Sequence, residues 1–422
     1  MGVFLLRHPF FMNILFIHQN FPGQFKHLAP ALAAIKDNQV RALTMRDIGA
    51  SDWQGVQITR YSADRKNTAG IHPWILDWET KVIRGEACYL AASQLKASGY
   101  EPDVIISNPG WGESLFIKQV WPKAKLGIYG EFYYHAQGAD VGFDPEFADA
   151  DLSTEPKIRL KNLNNQMHFE IADAGISPTE WQASTFPESF RSKITVVHDG
   201  IDTEAIQPNP KVQITLNSDL TLTKEDEVIT FVNRNLEPYR GCHTFLRALP
   251  KILKERPKVH ILIVGGNAVS YGPPPKAGGN WRDIFVAEVR SQISDADWKR
   301  VHFLGSLPYD QFIGVLQLST VHVYLTYPFV LSWSLMEAMS AGCTVVASNT
   351  QPLHELIQHD HNGRLVNFFK SEDLANEVIS LLNDPAARQR LALAARKTIQ
   401  EKYDLNAVCL PQQLKWVSQL LA

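Results

Sequence analysis

The sequence predicts two doubly wound α/β domains that face each other across a cleft. The chain has 422 residues, which is too long for one compact core at roughly 100–200 residues per domain. In both halves, continuous apolar runs of strand length alternate with helical patterns, as in parallel sheets that are covered on both faces. Sheets of this kind bind ligands beyond the carboxyl ends of their strands.

The first half opens with a strand, a loop and a helix. Residues 13–18 form an apolar strand, residues 20–24 form a loop around Pro22 and Gly23, and residues 25–35 have helical periodicity, which together begin a βαβ unit. The other predicted elements of this half are strands at residues 40–44, 103–107, 126–129, 174–177 and 194–197, helices over residues 78–98 and 155–172, and a short element of unassigned type at residues 179–185. They predict an N-terminal domain over residues 12–198.

The second half repeats the pattern after a predicted linker. Residues 199–226 mix Gly200, Pro208 and Pro210 with polar residues and lack sustained periodicity, which is typical of a linker. The elements that follow are strands at residues 228–232, 259–264, 301–304, 321–324 and 344–348 and helices over residues 243–254, 309–318, 334–340, 373–383 and 385–403. They predict a C-terminal domain over residues 227–405. The last helix, within residues 406–422, is expected to cross back to the first domain.

Charge composition and cysteine spacing indicate which cellular compartment and which binding partners to expect. Lys and Arg total 41 against 44 Asp and Glu, a net charge of −3, so the balance carries no bulk signature of nucleic-acid binding. The cysteines are widely spaced, without zinc or disulfide spacing, and are Cys88, Cys242, Cys343 and Cys409. We therefore expect a cytoplasmic protein without nucleic-acid partners.

The first eleven residues have two interpretations. They are partly apolar, but Arg7, His8 and Pro9 interrupt the run, and no apolar run in the chain reaches the roughly 18–20 residues that span a bilayer. The segment is either a disordered tail or an anchor that touches a membrane. Peripheral contact at the inner membrane face is accordingly a second expectation for localisation.

Several common catalytic motifs are missing. No GxGxxG follows a strand, and GxxxxGK[ST], GxSxG and HExxH do not occur, which argues against dinucleotide oxidoreductases, P-loop enzymes, serine hydrolases of that type and zincins. The two DxD matches, at residues 149–151 and 295–297, follow no strand. We interpret them as solvated surface, and the sequence predicts no metal site.

The loop after the strand at residues 321–324 is a candidate phosphate site. A helix that begins near Ser332–Ser334 directs free N–H groups and the positive end of its dipole towards that loop. Glu337, one turn inside the helix, could accept hydrogen bonds from a ribose diol. The alternative is that Ser332 or Ser334 only caps the helix and that Glu337 complements its dipole.

Several motifs resemble one enzyme family. Glu337-Ala338-Met339, Gly342 and Val345-Val346-Ala347 resemble the signature E-A-M-A-x-G-x-P-V-V-A of retaining GT-B glycosyltransferases of the large family four, the group 1 type. Residues 198–202 (HDGID) resemble the N-G-I-D of that family, and residues 231–241 resemble its G-R-L-x-x-x-K-G loop. The resemblance covers most of residues 12–405 and is strongest in the second half.

The resemblance implies a fold and an activity. The fold is GT-B, two Rossmann-like domains, with the acceptor on the N-terminal side and the donor on the C-terminal side. The reaction moves a sugar, expected to be a hexose, from a UDP- or GDP-sugar to an acceptor hydroxyl with retention of anomeric configuration. No cofactor or metal is implied, and the acceptor is a glycan, a lipid-linked molecule or a small molecule.

The resemblance also assigns residues. The residues assigned to the donor are Arg234, Arg240, Ser332, Trp333, Ser334, Glu337 and Gly23, of which the two arginines clamp the diphosphate. The acceptor-side candidates are Trp111 and Glu113, in the loop at residues 108–113, and Gln24. For Gly23 the alternative is a plain tight turn.

Two departures from the family lie where the sugar reacts. Phe329 replaces a glutamate that touches the donor sugar, and Glu131 stands where a histidine often lies near the anomeric centre. We hypothesise that Glu131 or His135 replaces the missing polar contact and count both as catalytic candidates with Arg234 and Arg240. The alternative is a structural cluster in which both side chains bind backbone groups.

Other functions remain as alternatives. Because Phe329 removes a sugar contact, the protein could bind a sugar nucleotide without catalysis. A sugar-nucleotide epimerase or a phosphorylase with the same fold is a further alternative. Transfer to an added acceptor distinguishes these functions, since epimerisation needs no acceptor.

Overall fold

The computed structural model describes residues 12–148 and 151–421 of the chain. The described residues form two compact units: unit 1 comprises residues 12–136, 151–199 and 409–421, and unit 2 comprises residues 137–148 and 200–408. Each unit contains a mainly parallel sheet, which confirms the predicted α/β fold class. Residues 1–11, predicted to be a tail or an anchor, lie outside the described residues, as do two of the three residues of the DxD at 149–151.

The sheet of unit 1 has eight strands in the order β3-β4-β2-β1-β5-β6-β7-β8. All neighbours are parallel except β3 and β4. The strands are β1 Asn13–Ile17, β2 Gln39–Thr44, β3 Asp52–Trp53, β4 Val56–Arg60, β5 Val104–Ser107, β6 Lys125–Tyr129, β7 Ala174–Ser177 and β8 Ile194–Val196. The sequence analysis missed β3 and β4, because β3 has two residues and β4 is half polar.

Unit 2 contains a hairpin and a six-stranded parallel sheet in the order β13-β12-β11-β14-β15-β16. The strands are β9 Gln213–Asn217, β10 Leu220–Thr223, β11 Val228–Asn235, β12 His260–Gly266, β13 Val301–Gly305, β14 Val321–Tyr324, β15 Thr344–Ser348 and β16 Arg364–Val366. Every residue of β14 and β15 is buried, as expected for parallel strands that are covered on both faces.

Helices cover the sheets. In unit 1 they are α1 Leu28–Ala33, α2 Leu76–Ala97, α3 Ile117–Val120, α4 Thr154–Ile171, α5 Glu180–Ser184 and α6 Glu188–Arg191. In unit 2 they are α7 Cys242–Glu255, α8 Trp281–Arg290, α9 Asp295–Trp298, α10 Tyr309–Leu318, α11 Trp333–Ser340, α12 Gln351–His354, α13 Ser371–Asn383 and α14 Pro385–Lys402. The last helix, α15 Leu410–Leu420, follows one π-helical turn and belongs to unit 1.

The stretch interpreted as a linker contains the β9–β10 hairpin. Ile214 and Leu216 of β9 pack against the apolar core of unit 2, and β9 contacts α10. Alternate residues of β9 are exposed, so its apolar side chains are separated by polar ones. This alternation over five residues is too short to stand out in a region rich in turn residues.

Trp416 attaches α15 to the sheet of unit 1. Its indole Nε1 donates a hydrogen bond to the carbonyl of Gly175 at 3.1 Å. A Cβ atom at Gly127 would lie 2.6 Å from the same ring. The helix therefore packs closely on β6 and β7 because residue 127 has no side chain. No helix among the described residues is both long enough and apolar enough to cross a membrane.

Buried histidines make the stability of the fold depend on pH. His322 on β14 has no exposed surface, its Nδ1 lies 2.8 Å from the hydroxyl of Thr230, and burial lowers its pKa from 6.5 to about 3. Below pH 6.5 the His322 side chain is protonated in the unfolded chain but stays neutral in the folded protein. This contribution to stability is therefore complete above the unfolded pKa and is lost as the pH falls towards the folded pKa.

We predict that His322→Gln reduces this pH dependence. Between about pH 7 and pH 5, the free energy of unfolding of the wild type should lose about 2 kcal/mol more than that of the variant. Urea denaturation at both pH values measures the difference. His361→Asn, which changes an exposed histidine, is the control and should behave like the wild type. Identical pH dependence in H322Q and the wild type would contradict the prediction.

Candidate functional site

Three loops of unit 2 begin at one edge of its sheet. Strand β11 lies between β12 and β14, and parallel strands end at the same edge. The β11–α7 loop (residues 236–241), the β12–α8 loop (residues 267–280) and the β14–α11 loop (residues 325–332) therefore leave the sheet side by side. This edge carries most of the residues that the sequence assigns to the donor.

Arg234, near the end of β11, offers an available positive charge. Its side chain is exposed and has no hydrogen bond or ion pair with any other residue that the structure describes. An unpaired guanidinium at the carboxyl edge of a parallel sheet is suited to phosphate oxygens. The role predicted for Arg234 concerns this edge of the sheet, and the side chain is exposed there.

Arg240 has a different environment, because its side chain is buried. Its guanidinium donates to the Tyr324 hydroxyl at 2.9 Å, the Thr326 hydroxyl at 2.7 Å and the Val330 carbonyl at 3.1 Å. These bonds connect the β11–α7 loop to the β14–α11 loop. A direct phosphate contact by Arg240 would have to compete with these bonds, which the sequence analysis did not foresee.

Glu237 fixes the third loop at this edge. The residue is fully buried, and its carboxylate accepts hydrogen bonds from the N–H groups of Ser270, Tyr271 and Gly272 at 3.1–3.2 Å. A buried carboxylate needs such donors to offset its desolvation. Sequence reasoning missed this residue, because its three donors lie more than 30 positions away.

The N-terminus of α11 has the geometry of a capped helix. Ser332 is the N-cap, its Oγ accepts from the N–H of Ser334 at 3.3 Å, and its own N–H donates to Tyr324. Trp333 and Ser334 are half-buried in the first turn. Ser332 therefore caps the helix, and the positive end of the helix dipole points to the edge that carries Arg234.

Glu337 lies one turn inside α11 and is 5% exposed. The hydroxyl of Tyr309, the first residue of α10, donates to Glu337 Oε1 at 2.6 Å. Burial and the adjacent carboxylate raise the pKa of Tyr309, so the hydroxyl stays protonated and acts as the donor. The carboxylate is thus held in one orientation by a residue that the sequence analysis did not identify.

Phe329 belongs to an aromatic cluster. Its ring is 5.2 Å from that of Tyr271 and 5.7 Å from that of Tyr239, and Tyr239 also packs on Tyr327 at 4.6 Å. Where the resemblance leads one to expect a carboxylate, this chain builds an aromatic wall from the three loops.

In unit 1, two of the predicted loops meet through His18. The ring of His18, just after β1, lies 5.0 Å from that of Trp111 in an edge-on contact. Burial lowers the pKa of His18 to about 4, so the neutral ring donates from Nε2 to Gln24 Oε1 at 2.8 Å. A Cβ atom at Gly23, where φ is +49°, would lie 2.3 Å from the imidazole, which explains the glycine.

A buried chain of hydrogen bonds supports the loop that carries Trp111. Ser107 Oγ lies 2.6 Å from Ser114 Oγ, which lies 2.9 Å from His168 Nε2, and His168 Nδ1 donates to the carbonyl of Asn164 at 2.7 Å. Burial lowers the pKa of His168 to about 4. The imidazole is therefore neutral, and the network attaches the loop to α4.

Glu113 lies inside unit 1. It is 1% exposed, and neither carboxylate oxygen has a hydrogen-bond partner among the described residues. Burial raises its pKa to about 7, against the lowering effects of Arg84 and Lys81. A direct contact with an acceptor would require the loop to open, so the buried position argues against the acceptor-side role predicted from sequence.

Glu131 and His135 follow β6 in unit 1 and are both half-buried. His135 Nε2 donates to the carbonyl of Thr185 at 2.7 Å, and Gln182 donates to the backbone carbonyl of Glu131. In the structural alternative, the side chains of both residues bind backbone groups. The His135 side chain makes such a contact. These bonds hold the segment against α5.

One group of described side chains could hold a metal ion by distance alone. The potential ligand atoms of Asp144, Glu146 and His243 lie within 4.8 Å of one another. In the structure, Asp144 pairs with His243 at 3.1 Å, and Arg247 donates to both oxygens of Glu146. These side chains therefore already form ion pairs and hydrogen bonds within the protein.

The DxD of residues 295–297 begins α9. Ser294 caps the helix by accepting from the N–H of Asp297 at 3.1 Å. Asp295 forms an ion pair with Arg290, and Asp297 forms one with Arg300. Both aspartates are first-turn acids of a surface helix, in keeping with the interpretation made from sequence.

Two family models match this chain. The model for the Glycosyl transferase family 4 group matches residues 36–206, and the model for Glycosyl transferases group 1 matches residues 213–398. Spore coat protein SA of Bacillus subtilis is 23% identical over 367 residues, which cover 82% of this chain and 84% of that protein. A D-inositol 3-phosphate glycosyltransferase of Rhodococcus jostii is 27% identical over 253 residues, which cover 59% of this chain and only 52% of that protein.

Solved structures share the fold. Sucrose-phosphate synthase from Thermosynechococcus elongatus superposes with a TM-score of 0.72 at 19% identity, over 97% of this chain and 99% of that chain. HepE of Anabaena in complex with UDP and glucose has a TM-score of 0.67 at 17% identity, with the same coverage. At such identities the likeness establishes the fold, and it extends over nearly the whole chain.

We predict that Glu113→Gln stabilises the protein at alkaline pH. A carboxyl whose pKa rises from 4.5 to about 7 on folding supports stability below its unfolded pKa, and this support is lost as the pH rises through the folded pKa. Glutamine does not titrate. At about pH 8 the free energy of unfolding of the variant should therefore exceed that of the wild type by a few kcal/mol, at about 1.4 kcal/mol per pKa unit.

Urea denaturation at about pH 5 and pH 8 measures this effect, and the advantage of E113Q should be small at the lower pH. Glu188→Gln, at an exposed glutamate of the same unit, serves as the control. An advantage of equal size at both pH values would contradict a buried titrating carboxyl at residue 113.

Proposed function

Because this chain belongs to the group 1 glycosyltransferases and has the GT-B fold, we propose that it transfers a sugar from a nucleotide-diphosphate sugar to an acceptor hydroxyl with retention of anomeric configuration. The observation that carries the proposal is the carboxyl edge of the unit 2 sheet. There, the unpaired guanidinium of Arg234 and the N-terminus of α11 offer positive charge on neighbouring loops.

The donor binds at this edge through its diphosphate and ribose. Arg234 contacts phosphate oxygens, and the dipole of α11 adds positive potential, since a helix N-terminus stabilises an anion. The Glu337 carboxylate, which is oriented by Tyr309, accepts from the ribose diol. Arg240 and Glu237 keep the surrounding loops in place.

The same charges assist catalysis. As the glycosidic bond to the nucleotide breaks, negative charge develops on the departing diphosphate, and a preorganised cation stabilises it more than the intact donor. The acceptor hydroxyl then attacks on the face from which the diphosphate leaves. The wall formed by Phe329, Tyr239 and Tyr271 excludes water from the sugar.

UDP-glucose is the first donor to test. The related fold of HepE has been solved with UDP and glucose and also with UDP-glucose. A thermal-shift screen against UDP- and GDP-sugars identifies the base and the sugar, since a ligand at 100 times its Kd adds about 2.7 kcal/mol of apparent stability. A screen in which no sugar nucleotide stabilises the protein would contradict the proposed function.

A non-catalytic sugar-nucleotide protein is the second candidate. The observation that favours it is that Phe329 stands where the resemblance places a carboxylate and packs its ring against those of Tyr239 and Tyr271. Donor binding without hydrolysis or transfer in a mixture of sugar, glycan and lipid-linked acceptors would support this candidate. Turnover of the donor would exclude it.

We predict that Arg234→Ala weakens donor binding and turnover. Loss of the charge should raise the Kd for UDP about tenfold and lower kcat/KM by about 10²–10³. Isothermal titration and initial rates measure the two effects. The matched control is Lys258→Ala, which removes an exposed charge at the opposite edge of the sheet, just before β12. Equal UDP affinity in R234A and K258A would contradict a phosphate contact by Arg234.

We predict that Glu131→Ala or His135→Ala lowers kcat well beyond any loss of donor affinity. The reason is that a contact made near the anomeric carbon matters most in the transition state. Initial rates at saturating donor separate kcat from binding. If both variants turn over like the wild type, the two residues have only the structural role seen in the contacts of His135 with Thr185.

A further inference from the structure

A short segment of the chain packs in the unit to which its flanking residues do not belong. Residues 137–148, called the strap below, are part of unit 2, whereas the residues up to Ala136 and those from 151 to 199 belong to unit 1. Only Ala136 separates the strap from His135. The strap thus continues directly from the segment that carries Glu131 and His135.

Two aromatic side chains anchor the strap in the core of unit 2. The ring of Phe143 lies 5.1 Å from that of Tyr327 and 5.3 Å from that of Phe368. The ring of Phe147 lies 5.0 Å from that of His243 and 5.2 Å from that of Trp281. Both phenylalanines pack against the main apolar cluster of the unit.

Two side-chain contacts of acidic residues attach the strap to α7. Asp144 Oδ2 lies 3.1 Å from His243 Nε2, and both side chains are 3% exposed. Burial alone would raise the pKa of Asp144, but the contact with His243 lowers it. Glu146 accepts two hydrogen bonds from Arg247, one turn further along the helix, at 2.6 and 2.7 Å.

A third polar contact joins the strap to the β11–α7 loop. The hydroxyl of Tyr239 donates to Asp140 Oδ2 at 3.0 Å, and Asp140 is 3% exposed. Tyr239 directly precedes Arg240, and its backbone carbonyl accepts from the N–H of Tyr327 at 3.0 Å. Its ring packs on Phe329 in the aromatic wall. Asp140 therefore fixes a tyrosine that links two of the three loops at the candidate donor site.

We propose that the strap positions the donor site, with Asp140 acting through Tyr239 as its positioning residue. The proposal rests on the proposed function of unit 2 as the nucleotide-sugar site. Without the bond to Asp140, the ring of Tyr239 has one less restraint, and the loop that carries Arg240 and the wall around Phe329 lose their fixed arrangement. Because the strap continues from residues 131–135, the same segment of chain carries the two catalytic candidates and the restraint on the donor loops.

The test compares UDP affinity in variants of the full chain by isothermal titration. Tyr239→Phe keeps the ring and removes only the hydroxyl, and Asp140→Ala removes the acceptor. Each should raise the Kd for UDP about three- to thirtyfold, because only part of the effect of a hydrogen bond to a charged group, about 10- to 150-fold in an equilibrium constant, reaches the bound nucleotide. The double variant should lose no more than the larger single loss, because both changes break the same bond. Asp140→Asn keeps an acceptor oxygen and should restore part of the affinity.

Glu146→Gln is the matched control, because it weakens a strap contact with α7 that does not involve the donor loops. It should bind UDP like the wild type. A loss of UDP affinity in E146Q as large as that in D140A would show that loosening the strap has a general effect, and it would overturn the role of Asp140. Wild-type affinity in both Y239F and D140A would also overturn it. If the wild type itself binds no nucleotide, the proposed function is wrong, and the positioning proposal, which rests on it, is wrong as well. If the wild type binds and turns over donor while these variants match it, only the positioning proposal fails.

Discussion

The register of the parallel strands is the constraint on which both candidate sites depend. In unit 1, Ile17 of β1 lies opposite Ser107 of β5, so the chain leaves the two strands side by side and His18 meets Trp111. In unit 2, β11 lies between β12 and β14, so three loops begin at one edge. The loops supply the side chains, but the pairing of the strands decides which of them become neighbours.

Buried polar contacts then fix the shape of these loops. Glu237 accepts from three backbone N–H groups, and Arg240 donates to three oxygens. A buried donor or acceptor without a partner costs about 1–3 kcal/mol of free energy. Separating either charged side chain from its partners is therefore unfavourable. These contacts restrain the loops at the edge where the side chain of Arg234 is exposed and pairs with no other described residue. The strap adds a further restraint through Asp140, because the hydroxyl of Tyr239 points into a contact that is closed to water.

Much of this architecture was predictable, and the exceptions have physical reasons. Strands such as β1, β5 and β14 agree with the predicted bounds to within one residue, because strands covered on both faces consist of continuous apolar runs. The β9–β10 hairpin and β16 were missed, since short strands with polar positions depend on their partners for stability. Among the site residues, the exposure of Arg234 fits the predicted role. The burial of Arg240 and Glu113 does not follow from residue type, because a charged side chain is buried only where distant partners or a closed loop allow it.

The sequence by itself determined the class of the protein: two α/β domains in order, a helix after β14 that carries Glu337, and family motifs at the strand ends. These features are local, since periodicity and motif spacing extend over a few tens of residues at most. Only the tertiary structure decided which charges are used inside the protein and which remain available, and that the strap belongs to unit 2. The bond between Tyr239 and Asp140 joins residues 99 positions apart. No local pattern specifies such a pair, because its energy exists only once the sheet and the aromatic anchors have brought the two side chains together.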